Sequence, residues 1–210
     1  ASIVGFSETI ASDPNMPVEM RNEFNLIILN EGKRLAKLIN DVLDLSRMET
    51  GRIAINKSKV NIVKLIQRMI NNNRGLIDAK NLSLTTELPS DEIIIEVDEE
   101  RLLQALDSLM DNSIKFTNEG GRIKVILNNL YREVEIIITD TGIGIPKKDI
   151  PFLFQKFYKV NRPDSDIPGA GMGLVFVKQI VDLHKGLINI QSEPNKGTSV
   201  LIKLLKSNRD

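Results

Sequence analysis

The sequence has no cysteine, and among its 210 residues only one histidine, His184. The first absence excludes disulfides, thiolate metal sites and cysteine nucleophiles; the second leaves no material for a multi-histidine metal centre. An excess of charge of either sign is also missing, since Lys+Arg and Asp+Glu stand at 28 each. No global field therefore draws the chain toward nucleic acid or a membrane surface, and any phosphate site must be local. No apolar run approaches the roughly 20 residues that span a bilayer, and no signal-peptide succession is present. What remains, 41% hydrophobic and 27% charged residues, suits a soluble globular chain of one ordinary domain or two small ones. It begins at Ala1 rather than Met and in mid-pattern, which reads as a fragment of something longer.

Residues 18 to 51 predict one long helix. Phe24, Ile28, Leu35, Leu38, Val42 and Leu45 fall on a 4-3 spacing whose only apolar gap is Glu31, the pattern of a bundle seam. Ile27, Leu29, Ile39 and Leu43 widen that face, and Gly51 stands where a C-terminal cap belongs. Ala1 to Ala11 reads as the tail of a second helix, folded back antiparallel by the turn Asp13-Pro14-Asn15-Met16-Pro17. A single hairpin of this size cannot cover both its faces, so it is expected to dimerise into a four-helix bundle. From about Lys57 strands alternate with helices, which suits a layered α/β domain. The boundary is expected near 52 to 59, with residues 1–55 as the dimerisation segment and 56–210 as the second domain.

In that second part, Asn61 to Asn72 is amphipathic, while Leu82 to Leu88 and Glu92 to Val97 read as strands. Asp98 is placed to cap a helix that Leu102, Leu103, Ala105, Leu106, Leu109, Met110, Ile114 and Phe116 make apolar nearly all round, so it must be buried. Arg122 to Asn128 with Val134 to Thr139 predict a hairpin, Leu174 to His184 a helix closed by Gly186, and Leu187 to Glu193 with Ser199 to Leu205 a final hairpin.

Three constellations carry chemistry. Ser108, Asp111, Asn112 and Lys115 form one polar stripe at i, i+3, i+4 and i+7 on the apolar helix. A neutral amide oxygen suits Mg²⁺, which takes hard oxygen donors beside water and phosphate, and Lys115 would meet phosphate as a point charge. Taken alone, the stripe reads equally as the helix's solvent edge. Asp140-Thr141-Gly142-Ile143-Gly144-Ile145-Pro146 sets a carboxylate at a strand end, where it can accept from adenine's exocyclic amine, and glycines that let backbone lie against the ring. Gly169-Ala170-Gly171-Met172-Gly173-Leu174 opens a helix, and a glycine-rich turn into a helix N-terminus cradles phosphate.

That last turn matches neither familiar phosphate motif. The dinucleotide fingerprint requires a strand ahead of G-x-G-x-x-G, whereas here the spacing is G-x-G-x-G after the polar run Asn161 to Pro168. The run reads as a lid, hinged on Phe152, Phe154, Phe157 and Tyr158, which are four of the nine aromatic residues. His184 sits in the last turn of a helix, where a partly charged imidazole favours the negative end; a role as phosphate acceptor is rejected.

Together these blocks resemble the kinase core of bacterial-type sensor histidine kinases, in the GHKL superfamily shared with gyrase, the heat-shock ATPase chaperone and mismatch-repair ATPases. Leu106 to Thr117 is similar to the family's N box, Asp140 to Ile145 to its first glycine box, Phe154 to Tyr158 to its F box, and Gly169 to Leu174 to its second glycine box. Leu43 to Gly51 resembles the exit from the dimerisation bundle, and Ala1 to Glu8 the stretch after the phosphoacceptor motif. The resemblance implies an α/β fold of two layers, a mixed sheet with helices on one face, preceded by the helical hairpin. It implies ATP and Mg²⁺, with Asn112 as metal ligand and Asp140 as adenine reader. Lys115, Tyr158 and Lys159 would contact phosphate or sugar, Gly142 and Gly144 would line the base, and Gly169, Gly171 and Gly173 would wrap the phosphates. Ser108, Phe116, Ile145, Met172, Leu174 and Thr198 complete the implied nucleotide contacts.

By the same resemblance the chain would be a cytoplasmic homodimer. It would transfer the ATP γ-phosphoryl to a histidine of the dimerisation helix and on to an aspartate of a response-regulator receiver domain, with no nucleic acid and no direct membrane contact. Two departures stand out. The acceptor His-Glu pair expected a few residues before Ala1 is absent, so this chain is expected to bind ATP without labelling itself. Ser108 stands where the family usually has Asn, and its hydroxyl reaches less far than an amide. An ATP-hydrolysing machine would need a carboxylate at position 108 to activate water, which serine cannot replace; a nucleotide-binding scaffold without activity is the other alternative.

Overall fold

The computed structural model describes residues 2–49, 55–161 and 171–206. Two units are distinguished, Ala1–Arg47 and Met48–Asp210. In the first, helix α1 (Ser2–Ser12) and helix α2 (Val18–Glu49) flank the expected turn. Asp13 organises that turn: its carbonyl accepts the Met16 N–H at 3.2 Å and its Oδ1 the Asn15 N–H at 3.1 Å. The Phe6 and Phe24 rings meet at 4.9 Å, joining the two helices. Among the six seam residues Leu45 is buried and Phe24, Ile28 and Leu38 are half-buried, whereas Leu35 and Val42 stay exposed. Leu29, Ile39 and Leu43 are each about half exposed as well, so much of the apolar stripe is uncovered. The cap expected at Gly51 lies outside the described residues.

The second unit is built on a five-stranded sheet in the order β2 (Ser83–Glu87), β4 (Arg122–Asn129), β5 (Glu133–Asp140), β7 (Gly197–Leu205), β6 (Leu187–Glu193). Only the β2–β4 pair is parallel. Alternation decides the two faces. Ile123, Val125 and Leu127 of β4, Val134, Ile136 and Ile138 of β5, and Val200, Ile202 and Leu204 of β7 are all buried on one side. The register sets them opposite one another, with Val125 beside Ile138 and Ile136 beside Ile202. The opposite face carries polar ladders: Lys203 pairs with Glu133 at 3.0 Å and with Glu135 at 2.7 Å.

Three helices cover the apolar side: α3 (Ile62–Ala79), α4 (Glu99–Phe116) and α5 (Gly173–Leu183). Asn61 caps α3 through Oδ1, which accepts from the N–H of Val63 and Lys64. This helix runs beyond Asn72 because its buried stripe continues through Asn73 and Ile77, which offsets the weak helix propensity of three consecutive Asn and Gly75. Asn73 is satisfied there by donating to Met69 O at 2.9 Å and to Asp107 Oδ1 on α4 at 2.8 Å. The segment Glu92 to Val97 does contain a strand, β3 (Ile94–Val97), but outside the main sheet. It pairs antiparallel with β1 (Ser58–Asn61), a strand with no strong pattern of its own. Among the described residues no helix is long and apolar enough to cross a membrane.

Candidate functional site

Helix α4 positions the polar stripe. Asp98 starts it, its Oδ1 accepting the Arg101 N–H at 3.1 Å, and Thr117 closes it by donating from its hydroxyl to Ser113 O at 2.6 Å. Leu102, Leu103, Leu106, Leu109, Met110 and Ile114 are buried, which fixes the helix's rotation. Ser108, Asp111, Asn112 and Lys115 are left half-buried rather than at an open solvent edge. Lys115 Nζ lies 3.4 Å from Asp111 Oδ2, a long and partly exposed pair.

The second glycine segment comes to this stripe. A Cβ added at Gly173 would sit 3.0 Å from Ser108 Oγ and 3.9 Å from Asn112 Nδ2. Glycine therefore lets the first turn of α5 approach the stripe, and the first N–H groups of a helix lack intrahelical partners. Met172 is buried, Leu174 half-buried. Gly169 and residues 162–168 of the expected lid lie outside the described residues.

Asp140 ends β5 and is only 7% exposed. Its Oδ1 accepts from the Gly142 N–H at 2.9 Å and the Thr198 N–H at 3.1 Å. Burial pushes its carboxyl above the usual carboxylate range, against the opposing pull of these two backbone bonds and of the Ser113 hydroxyl. Gly142 packs against the end of α4, where a Cβ would overlap the Phe116 carbonyl, and the Ile143 N–H donates to that carbonyl at 3.1 Å. Gly144 has φ +64° and faces the Glu193 carbonyl, so both the left-handed backbone and the close approach demand glycine. The loop is closed on its other side by Ile145 N–H, which donates to Ser192 Oγ at 2.8 Å.

The aromatic segment divides. Phe154 and Tyr158 pack against the core, while Phe152 and Phe157 are exposed, so only half of the expected hydrophobic hinge is seated. Phe157 adopts φ +63°, uncommon for a bulky residue, and its N–H donates to Gly171 O at 3.2 Å. Tyr158 Oη donates to Asp149 Oδ1 at 2.7 Å, and that bond raises the phenol's pKa. Lys159 is exposed, Phe116 borders on exposure, and Ile145 and Thr198 are half-buried. Asn112, Asp140, the Gly142–Gly144 turn and the start of α5, far apart in sequence, thus meet around one end of α4.

His184 corrects an expectation. It is 5% exposed, its Nδ1 lies 2.8 Å from Ile180 O, and its Nε2 accepts the Asp98 N–H at 2.9 Å. Burial pushes its pKa down, so the ring is held neutral rather than partly charged against the helix end. The helix cap differs too. Lys185, not Gly186, takes the left-handed conformation at φ +57°, and Gly186 is required by its approach to the Lys203 carbonyl of β7. Ser113, Asp149 and Lys80 were not singled out by pattern. Lys80 Nζ donates to Ile114 O at 2.7 Å and Lys115 O at 3.0 Å, capping the end of α4, and no local motif announces a cap from the residue after α3.

Residues 97–208 match the family model described as histidine kinase-, DNA gyrase B- and HSP90-like ATPase. The chain is 32% identical over 193 residues to the sensor histidine kinase YclK of Bacillus subtilis, covering 90% of this chain and 40% of that protein. Among solved structures, the Acinetobacter baumannii histidine kinase AdeS superposes with TM-score 0.80 at 23% identity, covering 98% of this chain and 94% of the other. The histidine kinase ThkA, in a complex with response regulator protein TrrA, superposes with TM-score 0.80 at 23% identity, covering 98% of this chain and 57% of the other. At these identities the structures speak for the fold. The chain spans less than half the length of the curated relatives it matches.

Proposed function

The chain belongs to the histidine kinase-, DNA gyrase B- and HSP90-like ATPase family, and we propose that it is the kinase core of a two-component sensor histidine kinase. The observation that supports this most is the approach of Gly173 to Ser108 and Asn112 beside the buried Asp140. In this reading Asp140 accepts a hydrogen bond from the adenine amine, and the backbone of the Gly142–Gly144 turn lines the ring. The N–H groups at the start of α5 and the Lys115 ammonium take the phosphates. The donor set fits Mg²⁺: Asn112 offers a half-buried amide beside a cradle that a Cβ on Gly173 would fill. The ion would neutralise phosphate charge there.

Phosphoryl transfer asks chiefly for positioning and charge neutralisation. The lone pair of a neutral histidine nitrogen attacks the γ-phosphorus, the bond to the β,γ-bridging oxygen breaks, and ADP leaves. A response-regulator aspartate then takes the phosphoryl group. The one histidine in this chain is buried and bonded through both ring nitrogens, so the acceptor imidazole is a separate group. The uncovered apolar stripe of α2 supports a homodimeric bundle, and the kinase portion is read as cytoplasmic.

The test supplies a dimerisation helix bearing its histidine in trans and follows radiolabel from ATP. Acid-labile label on that helix is expected. Steady phosphate release without label would replace the kinase by an ATPase, and nucleotide binding with neither would leave a scaffold.

A further inference from the structure

Helices α4 and α5 meet at both ends. At one end Gly173 approaches Ser108 and Asn112; at the other, the Asp98 N–H donates to His184 Nε2 at 2.9 Å. The second meeting reaches further, because Asp98 spends its two carboxylate oxygens separately. Oδ1 caps α4 through the Arg101 N–H at 3.1 Å, and Oδ2 accepts the N–H of Asn56, 42 residues earlier, at 3.0 Å. Asn56 lies two residues ahead of β1. His184 in turn is fixed within α5 by its own contact to Ile180 O at 2.8 Å. One aspartate therefore ties the segment leading into the domain to the two helices that carry the candidate site.

We propose that Asp98 and His184 form a junction coupling nucleotide occupancy at the far end of α4 and α5 to the anchoring of the chain at Asn56. This rests on the site binding an adenine nucleotide as proposed above. The physical basis is the helix pair itself: both helices lie in one buried cluster that includes Leu102, Leu106, Val177 and Ile180. A ligand that restrains both helices at one end reduces the local opening that would separate Asp98 from His184 at the other. Coupling is reciprocal, so weakening the Asn56 anchor must weaken nucleotide binding by the same factor.

Asp98→Asn isolates the effect. Asparagine caps helices as well as aspartate does, so Oδ1 keeps the Arg101 bond while the new amide presents a donor to the Asn56 N–H. The experiment measures amide exchange at Asn56 in the full chain, with and without AMPPNP and Mg²⁺, alongside calorimetric affinity and the thermal midpoint. In the unsubstituted chain, nucleotide is expected to slow Asn56 exchange by about fivefold, the low end of site-to-site coupling. Asp98→Asn is expected to abolish that change and to lower AMPPNP affinity by about the same factor, with the thermal midpoint of the unliganded chain nearly unchanged. AMPPNP binding without any change at Asn56 overturns the junction and leaves the nucleotide site standing. An Asp98→Asn chain that loses midpoint but keeps the nucleotide-dependent protection also overturns it, by reducing Asp98 to a cap. No binding of AMPPNP to the unsubstituted chain overturns the functional reading and the junction with it.

Discussion

Helices α2 and α4 both carry dense apolar patterns, and the structure treats them oppositely. In α4, Leu102, Leu106 and Met110 have no exposed surface at all; in α2, Leu35 and Ile39 keep half of theirs. The difference is one of company rather than composition. Helix α4 lies in one buried cluster with residues of α3, α5 and the sheet, whereas α2 has α1 beside it, and α1 buries none of its residues. A helix with a finished environment can leave one side polar, as α4 does with the stripe that includes Asn112. A helix with half an environment keeps apolar surface exposed, the surface on which the proposed homodimer rests.

The sharpest way to break this comparison is to remove the same side chain from each helix. Leu106→Ala leaves a cavity in a filled core and is expected to destabilise the second unit by about 2–5 kcal/mol. Leu35→Ala removes exposed surface and is expected to cost no more than about 0.5 kcal/mol in dilute monomer. Urea unfolding of both variants checks the pair, and equal losses would show that α2 is packed as tightly as α4. The dimer offers the converse test. Leu38→Glu places a carboxylate on the half-buried stripe, and leaving it unpaired in an assembled seam costs upward of about 3 kcal/mol. Sedimentation is expected to show a dimer for the unsubstituted chain and a monomer for the variant; a persisting dimer would move the interface off this stripe.

The filled environment of α4 extends to Asp140, whose burial holds its carboxyl above the usual range. Asp140→Asn is expected to lower ATP affinity about 10- to 100-fold, the scale of a charge-assisted hydrogen bond of roughly 1.5–3 kcal/mol, and to erase preference for ATP over GTP. Competition calorimetry reads both. The unsubstituted chain should lose nucleotide affinity as pH falls through the raised pKa, earlier than an ordinary aspartate would allow. Stability of the unliganded domain runs the other way: a raised carboxyl binds its proton more tightly when folded, so stability falls as pH climbs through that window. The same Asp140→Asn substitution would remove that slope, because an amide does not titrate there.

Much of this was legible in sequence for a physical reason. The apolar stripe of α2, the burial of α4 and the alternation of β4, β5 and β7 are periodic, and periodicity is what a chain writes locally. The buried stripe of α4 also left Asn112 on the side where α5 arrives. What was not legible depends on distant partners. Strand β1 is four residues with one buried side chain, and only its register with β3 makes it a strand. The cap that Lys80 gives α4 comes from the residue that follows α3, and Asp149 meets Tyr158 only after the loop folds back. His184 read as a partly charged imidazole because its own helix offers a negative end. The burial that neutralises it comes with the Asp98 backbone, 86 residues away.

That misreading supplies the smallest effect and the finest test. A histidine whose folded pKa is depressed takes up its proton less readily in the native state, so it contributes stability that is complete above its unfolded value of about 6.5. As pH falls below that value, the unfolded chain gains the proton first and stability declines, levelling off beneath the folded pKa. His184→Gln removes the titration while keeping an acceptor of similar reach for the Asp98 N–H. Its stability should therefore fall less between pH 7 and 5 than that of the unsubstituted chain, a difference of about 1 kcal/mol or less, below the full cost of a one-unit shift. Parallel denaturation at the two pH values measures it. Nothing of this kind is expected of α2, which holds no histidine. If both chains lost the same stability on acidification, the imidazole would titrate alike in the folded and unfolded chain, and neither its burial nor the Asp98 N–H would be holding it neutral.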